Sequence, residues 1–135
     1  MNATEIKVEN LVKIDEKLRN ELFDCNGIIT DTYTFEIAMI SKYEVNLLIY
    51  GEEIEFDIED ISPVELTKEI INKTELLKGI LIHDNFFSGI IKLKYNSFVG
   101  LYEFYIGDFA VCFIEHLHQL QNLFFALTNT KLTIN

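Results

Sequence analysis

The clearest hydrophobic–polar pattern in the chain lies between residues 52 and 59, and it predicts a β-strand. After Glu52, the even-numbered positions are apolar: Ile54, Phe56 and Ile58. The odd-numbered positions are acidic: Glu53, Glu55, Asp57 and Glu59. A period of two is that of a strand with one face in a core and the other in water. The acids are therefore expected to form one exposed row.

The two segments before this strand alternate in the same way. Residues 31–40 place four apolar side chains on one face, Tyr33, Phe35, Ile37 and Met39. Residues 44–50 do the same with Val45, Leu47 and Ile49. Because the links at Ser41-Lys42 and Gly51 are short, the three segments predict an antiparallel meander.

Two other segments have helical signals. Asn10–Asp24 repeats apolar residues at helical spacing, with Asn10 as a possible N-cap and Gly27 just past the end. A second helix is predicted to start at Ser62-Pro63-Val64-Glu65, where serine caps, proline fits the first position and glutamate completes a capping box. Gly79 would end this second helix.

Further strands are predicted at residues 79–82, at Phe86–Tyr95 with Gly89 as a bulge, and at Phe98–Ile106 after a turn at Asn96-Ser97. Gly107-Asp108 then has two interpretations. It is either a hairpin turn into a strand over residues 109–113, or the start of a helix capped by Asp108. The apolar stripe that follows slightly favours the helix, and both interpretations predict helix from His116 onward.

Together these elements predict an α+β fold, an antiparallel meander sheet of about five to six strands packed with about three helices. The chain has 135 residues, 49% of them hydrophobic, which suits one globular domain over residues 1–135. The two cysteines, Cys25 and Cys112, are too few for a disulfide framework and are expected to be buried thiols.

Composition restricts location and partners. The first ten residues have no apolar segment of the kind found in secretory signals. The longest apolar run, Phe109–Ile114, is far below the roughly 20 residues that span a membrane, so a cytoplasmic protein is expected. The net charge of −11 argues against nucleic acid or an anionic membrane as partner, since both are bound by clustered Lys and Arg.

The sequence contains no recognisable catalytic motif. G-x-S-x-G is absent, and the six glycines are scattered instead of forming a phosphate-binding loop. His116 and His118 are two residues apart and diverge on a helix, while His83 stands in a polar turn, so three or four metal ligands do not converge. We expect no metal, no cofactor and no enzymatic activity, with His116 buried and His118 exposed.

The negative charge is concentrated in residues 44–65, which contain eight acids and no Lys or Arg and so carry −8 of the net −11. Acids on one face of a strand recur about every 6.6 Å and repel each other. One explanation is an edge strand charged against aggregation, with Lys92 and Lys94 lying across the sheet and neutralising the acids. The other is recognition of a cationic surface.

The sequence favours a non-enzymatic binding protein with a cationic protein partner. Small size, strong acidity and the lack of a catalytic motif are features shared with bacterial immunity proteins, which inhibit a cognate toxin, although no family motif is present. A nuclease-like toxin would have a basic surface for the acids to mask. The expected binding residues are Glu53, Glu55, Asp57, Glu59 and Asp60, with Tyr43 and Tyr50 as aromatic anchors.

Two alternative functions fit the same sequence. A nucleic-acid mimic could inhibit a DNA-binding protein, because the carboxylate spacing is close to the phosphate spacing along one DNA strand, roughly 6–7 Å. A structural or adaptor subunit could instead assemble through exposed aromatic residues, for which the candidates are Phe86, Phe87, Phe124 and Phe125.

Overall fold

A computed structural model of the chain describes residues 6–15, 34–74, 91–132 and 134, and the backbone of residues 85–88. The chain divides into two compact units, Met1–Val64 and Glu65–Asn135. Each unit contains one antiparallel sheet. The α+β class is therefore confirmed, but the strands form two sheets instead of one meander. The single domain expected over residues 1–135 stays a prediction.

The first unit is built on a five-stranded sheet with the order β4-β3-β2-β1-β5, in which all neighbours are antiparallel. Its strands are β1 (Leu11–Ile14), β2 (Thr34–Ile40), β3 (Glu44–Ile49), β4 (Glu52–Asp57) and β5 (Ile61–Pro63). The predicted meander is confirmed as β2-β3-β4. One face of this sheet carries a hydrophobic core in which Val12, Ile37 and Leu47 are completely buried.

A β-bulge in β2 shifts which of its side chains face the core. Ile37 lies opposite Leu47, but Met39 lies opposite Asn46, so β2 contains one extra residue between the two pairs. As a result Met39 is 56% exposed, and Ile40 packs against the core in its place. The predicted inward face is therefore wrong at Met39.

The helix predicted from Asn10 to Asp24 is wrong where the structure describes it. Residues 11–14 form β1, which is hydrogen-bonded to β2 on one side and β5 on the other. These neighbours satisfy the main-chain groups, and the two buried residues of β1 are β-branched, which favours a strand. Asn10 caps no helix, because its Oδ1 accepts a hydrogen bond from the N–H of Lys7 at 2.7 Å. Residues 16–27 lie outside the described residues.

The helix start predicted at Ser62-Pro63-Val64-Glu65 is also wrong. The first two of these residues belong to β5, an outer strand of the sheet among the described residues, where the missing N–H of proline is tolerated. Helix α1 begins later and spans Lys68–Asn72. Its N-cap is Thr67, whose Oγ1 accepts a hydrogen bond from the N–H of Ile70 at 3.3 Å. The predicted helix end at Gly79 lies outside the described residues.

The second unit contains a four-stranded antiparallel sheet with the order β6-β7-β8-β9. Its strands are β6 (Asn85–Ser88), β7 (Ile91–Asn96), β8 (Leu101–Ile106) and β9 (Phe109–Ile114). The single strand predicted over Phe86–Tyr95, with a bulge at Gly89, is wrong, because β6 and β7 are separate and pair with each other. That pairing satisfies main-chain groups that one long strand would leave open. The strand predicted at residues 79–82 lies outside the described residues.

The chain turns at Gly107-Asp108 into β9, so the strand interpretation of residues 109–113 is correct. The helical interpretation, slightly favoured by the apolar stripe, is wrong, because main-chain pairing with β8 outweighs the local periodicity. Helix α2 (Leu117–Thr128) follows, with His116 at its N-cap. With α1, the described residues contain two α-helices and one short 3-10 turn at Ile58–Asp60, so the predicted number of about three helices is not confirmed.

Three side chains near α2 are not where the sequence predicted them. His118 is buried and His116 only half-buried, the reverse of the expectation, because the buried face of α2 begins at Leu117, after the N-cap. Cys112 is exposed on β9, the outer strand of its sheet in the described part of the chain, and is not a core thiol. Cys25 and His83 lie outside the described residues.

Adjacent leucines of β3 provide a test of the first sheet. Leu47 is completely buried, whereas Leu48 is 36% exposed on the opposite face. Leu47→Ala should lower the free energy of unfolding by about 3 kcal/mol, because it opens a cavity in the core. Leu48→Ala, the same chemical change one residue away, should cost less than about 1 kcal/mol. Urea unfolding measures both values, and equal losses would contradict the described faces of β3.

Candidate functional site

The acidic row predicted from the sequence lies on β4, the outer strand of the first sheet in the described part of the chain. Glu53, Glu55 and Asp57 are exposed, while the alternating Phe56 is buried and Ile54 packs against the core. Because β4 is held by its apolar side, these three carboxylates all point to the opposite face of the sheet. They recur about every 6.6 Å along the strand.

Strand β3 adds a fourth carboxylate to the row. Glu44 lies directly opposite Asp57, Asn46 opposite Glu55, and Leu48 opposite Glu53. Directly opposed residues share a face and have Cβ atoms about 4.5–5.5 Å apart. We call Glu44, Glu53, Glu55 and Asp57 the acidic face. Glu44 was not among the expected binding residues.

The register of the hairpin could have revealed Glu44 from the sequence. A two-residue turn at Tyr50-Gly51 makes Ile49 and Glu52 partners, and counting outward from that pair brings Glu44 opposite Asp57. Both turn residues have positive φ, +52° for Tyr50 and +81° for Gly51, as a tight hairpin turn requires.

The carboxylates of the acidic face interact strongly enough to change a pKa. The negative charge of Glu55 raises the pKa of Glu44 above its ordinary 4.5, and loss of hydration, a side-chain hydrogen bond with Glu55 and the charge of Asp57 raise it further. The uncharged form of Glu44 is therefore favoured by its acidic neighbours. A positive charge placed between them would remove this repulsion.

Lys92 and Lys94 do not face these acids across a sheet, because they belong to β7 in the second unit. Their cross-strand partners in β8 are Tyr105 and Glu103. Lys92 Nζ lies 3.5 Å from Asp108 Oδ1. Lys94 Nζ lies 4.6 Å from the centroid of the Tyr105 ring, whose hydroxyl donates to Glu103. The neutralisation of the acids by cross-strand lysines is therefore wrong.

Few cations of the first sheet lie near the acidic face. Within the five strands the one lysine is Lys13 in β1, two strands from β3 and three from β4, and thus about 10 and 14 Å away. Lys42 lies in the turn between β2 and β3, two residues before Glu44. Among the described residues, the ion pairs within 4.0 Å are Lys92–Asp108 and His116–Glu115. Neither of them involves the acidic face.

Two exposed tyrosines lie at opposite ends of β3, on the order of 20 Å apart. Tyr43 is 66% exposed, and Lys42 Nζ lies 5.0 Å from the centroid of its ring. Tyr50 is 63% exposed in the hairpin turn, where its positive φ is unfavourable for an aromatic residue. The structure therefore brings both expected anchors to the ends of the hairpin that carries the acids.

Glu59 and Asp60 do not continue the acidic row. They lie in the 3-10 turn Ile58–Asp60 that follows β4, where Glu59 is exposed and Asp60 half-buried. The alternation in the sequence suggested that the strand continued to Glu59. Instead, the main-chain N–H of Ile58 donates to the carbonyl of Tyr43 at 2.8 Å, and the chain then turns away into β5.

Within the described residues, no group of three or more His, Cys, Asp or Glu side chains is arranged to hold a metal ion. No helix in that part of the chain combines the length and hydropathy needed to cross a membrane. Of the four aromatic residues proposed for an adaptor surface, Phe125 is exposed and Phe124 is buried. The side chains of Phe86 and Phe87 lie outside the described residues.

Comparison of the chain with protein-family models, with curated proteins and with solved structures gives no match in any of the three.

The repulsion at Glu44 predicts a pH-dependent gain in stability for Glu44→Gln. Since the folded-state pKa is raised, the folded protein binds more protons than the unfolded chain just above pH 4.5, and its stability falls as the pH rises through the folded-state pKa. The variant should therefore have a higher Tm than the wild type at pH 7, and the difference should vanish as the pH falls well below 4.5, where Glu44 is protonated in both states.

Thermal unfolding followed by circular dichroism across this pH range measures the effect. Glu65→Gln is the matched control, because Glu65 is an exposed acid outside the acidic face. An equal gain in Tm for the control would mean that general net charge, not the neighbouring Glu55, destabilises the protein at neutral pH.

Proposed function

We propose that the protein binds a cationic protein partner through the acidic face, as an inhibitor of the immunity-protein type that masks the basic surface of a toxin. The observation that carries this proposal is the alignment of four exposed carboxylates on β3 and β4, with no lysine or arginine within 4.0 Å among the described residues. The proposed role is binding, not catalysis, in the cytoplasm of a bacterium.

The electrostatics of the acidic face suit rapid and selective association. Like charges held close together create a potential that extends beyond contact distance, which attracts a cationic partner and raises the association rate. Binding also relieves the repulsion that raises the pKa of Glu44, so a cationic partner gains more from this surface than from four isolated acids.

Tyr43 and Tyr50 supply the apolar part of the proposed contact. Aromatic side chains dominate the binding energy of many interfaces, whereas exposed ion pairs alone contribute little. In the proposed complex the partner's basic residues contact the acids, and its apolar residues contact one or both tyrosines at the ends of the hairpin. Such a contact combines fast association with a slow dissociation rate.

A second candidate function is supported by the spacing of the carboxylates along β4. Glu53, Glu55 and Asp57 recur about every 6.6 Å, which is close to the roughly 6–7 Å between phosphates of one DNA strand. A protein that mimics DNA would compete with DNA for the same basic cleft of a DNA-binding protein. If the protein instead inhibits a toxin that does not itself bind DNA, added DNA should not compete with the protein for that toxin.

Reversal of two central charges tests the site. Glu55→Lys combined with Asp57→Lys should weaken binding to the cognate partner by about 100-fold or more, because each close charge pair across such an interface couples by about 1.5 kcal/mol or more. The partner is sought by affinity capture that includes the product of the neighbouring gene. Its Kd is then measured by titration calorimetry at about 50 and about 500 mM salt.

The matched control is Glu69→Lys combined with Glu115→Lys, which changes the net charge equally at exposed positions outside the acidic face. The control should keep near wild-type affinity, and the wild-type Kd should rise with salt. Equal losses for both double variants, or no loss for either, would rule out the acidic face as the site. If a DNA duplex displaces the protein from its partner, the DNA-mimic function is favoured over inhibition of a toxin that does not bind DNA.

The unfavourable turn at Tyr50 allows a separate test of its role. Tyr50→Asn creates the Asn-Gly pair that tight hairpins prefer, so the free energy of unfolding should rise by about 1 kcal/mol. If Tyr50 is an anchor, the same variant should bind the partner about 10-fold more weakly. Tyr43→Asn, the control, also removes an exposed aromatic ring but relieves no strain and should give no gain in stability. A stabilised Tyr50→Asn variant with unchanged Kd would exclude Tyr50 from the site.

A further inference from the structure

The two units differ sharply in charge. Residues 1–64 contain fifteen acids and five basic residues, for a net charge of −10. Residues 65–135 contain seven acids and six basic residues, for a net charge of −1. Two copies of the chain therefore repel each other strongly through their first units and only weakly through their second.

The nearly neutral second unit has an outer strand without charge. Strand β9 reads Phe-Ala-Val-Cys-Phe-Ile, and the first five of these residues are exposed. Phe109 is 80% exposed, Val111 48% and Phe113 41%. Outer strands in natural proteins usually carry charged residues that prevent contact with another strand. In the described residues β9 has β8 as its partner on one side and none on the other.

The turn between β7 and β8 continues this apolar surface. It lies at the end of the sheet where β9 finishes, because Ile114 is opposite Tyr102, near the start of β8. Phe98 is 99% exposed in the turn and Val99 52%. The side chain of Asn96 fixes the turn, because its Oδ1 accepts hydrogen bonds from the N–H groups of both residues. Phe98 and Val99 are thus presented on an ordered turn.

We propose that β9 pairs with β9 of a second copy of this chain, antiparallel about a two-fold axis at Cys112. An outer strand with open main-chain groups can pair with another extended strand, and an outer strand without charge favours a partner strand that is also without charge. The axis at Cys112 places Val111 of each copy opposite Phe113 of the other, so large exposed apolar residues meet and the small cysteine lies at the centre. A second copy offers such a strand, and the unit that carries it has a net charge of only −1.

The available area suits a dimer of moderate affinity. With about 200 Å² for a whole Phe side chain, the exposed parts of Phe98, Phe109 and Phe113, with Val99 and Val111, add up to roughly 600 Å² per copy. Because the bulge turns Phe109 and Phe113 to opposite faces of the sheet, the total of roughly 1,200 Å² is the most that these side chains can bury, and it reaches the lower end for specific interfaces. The β-bulge at Val111 interrupts the edge of β9 and shortens the possible ladder. Side-chain packing therefore contributes more than main-chain hydrogen bonds, and the Kd is expected in the micromolar range.

Sedimentation equilibrium of the full chain at concentrations from about 1 to about 300 μM tests the proposal. The wild type should shift from monomer to dimer, and added salt should preserve or strengthen the dimer because it screens the repulsion between the first units. Val111→Lys should weaken association by at least about 10-fold, because two lysines would face the apolar contact. A monomer throughout this range would overturn the proposal.

Matched variants test whether the added charge alone, or misfolding of the variant, weakens the dimer. Leu127→Lys introduces the same charge at a residue of α2 that is 46% exposed, and it should leave the dimer intact. If Val111→Lys does not fold, as judged by circular dichroism, Phe109→Lys replaces it, since that ring is 80% exposed and contributes little to the monomer's core. Loss of the dimer in the Leu127 control, or its persistence in the β9 variants, would place the contact elsewhere.

Cys112 tests the position of the two-fold axis. In a Cys25→Ser background, mild oxidation of the dimer at alkaline pH should link the two Cys112 thiols, giving a reducible dimer band on a gel. The alkaline pH is needed because partial burial raises the pKa of the Cys112 thiol. A dimer in sedimentation without this cross-link would overturn the proposed register, and the acidic-face variant Glu55→Lys/Asp57→Lys should form the cross-link as efficiently as the wild type.

Discussion

The main-chain register of the β3–β4 hairpin is the constraint on which the acidic face depends. The turn at Tyr50-Gly51 pairs Ile49 with Glu52, and each further pair follows from that one. Burying an apolar side chain such as Phe56 stabilises the fold by roughly 1.5–3 kcal/mol, whereas like charges opposed on a strand pair cost a few tenths. A slip of one residue would reverse the faces and bury the acids. The core thus holds the carboxylates together against their repulsion.

The parts of the fold that the sequence predicts correctly are those whose partners are adjacent in the chain. The β2-β3-β4 meander follows from alternating segments joined by short turns, because a short turn itself defines the pairing. The failures at β1 and β5 have one cause: these strands pair with each other across more than forty residues of sequence. The local sequence signals for a helix at Asn10 and at Ser62 are both present, but the main-chain pairing of β1 with β5 outweighs them.

The same distinction applies to the candidate site. The acidic row on β4 is visible in the sequence, and Glu44 could have been added from the hairpin register. The positions of Lys92 and Lys94 could not, because assigning β7 to a different sheet requires the topology of the whole chain. Nor does alternation in the sequence reveal the bulge at Met39 or the end of β4 before Glu59, since each depends on how neighbouring strands pair.

Two of the outer strands, β4 and β9, differ sharply in charge, and this difference supports the proposed recognition role of the acidic face. Charged residues on an outer strand protect its open main-chain edge. Strand β9 exposes Phe109, Val111 and Phe113 and carries no charge, as suits a strand proposed to pair with a second copy. The apolar side of β4, by contrast, is covered by its own core. The four carboxylates therefore protect an edge with little apolar surface to hide, at the cost of mutual repulsion. A cationic partner, as proposed, would offset that repulsion.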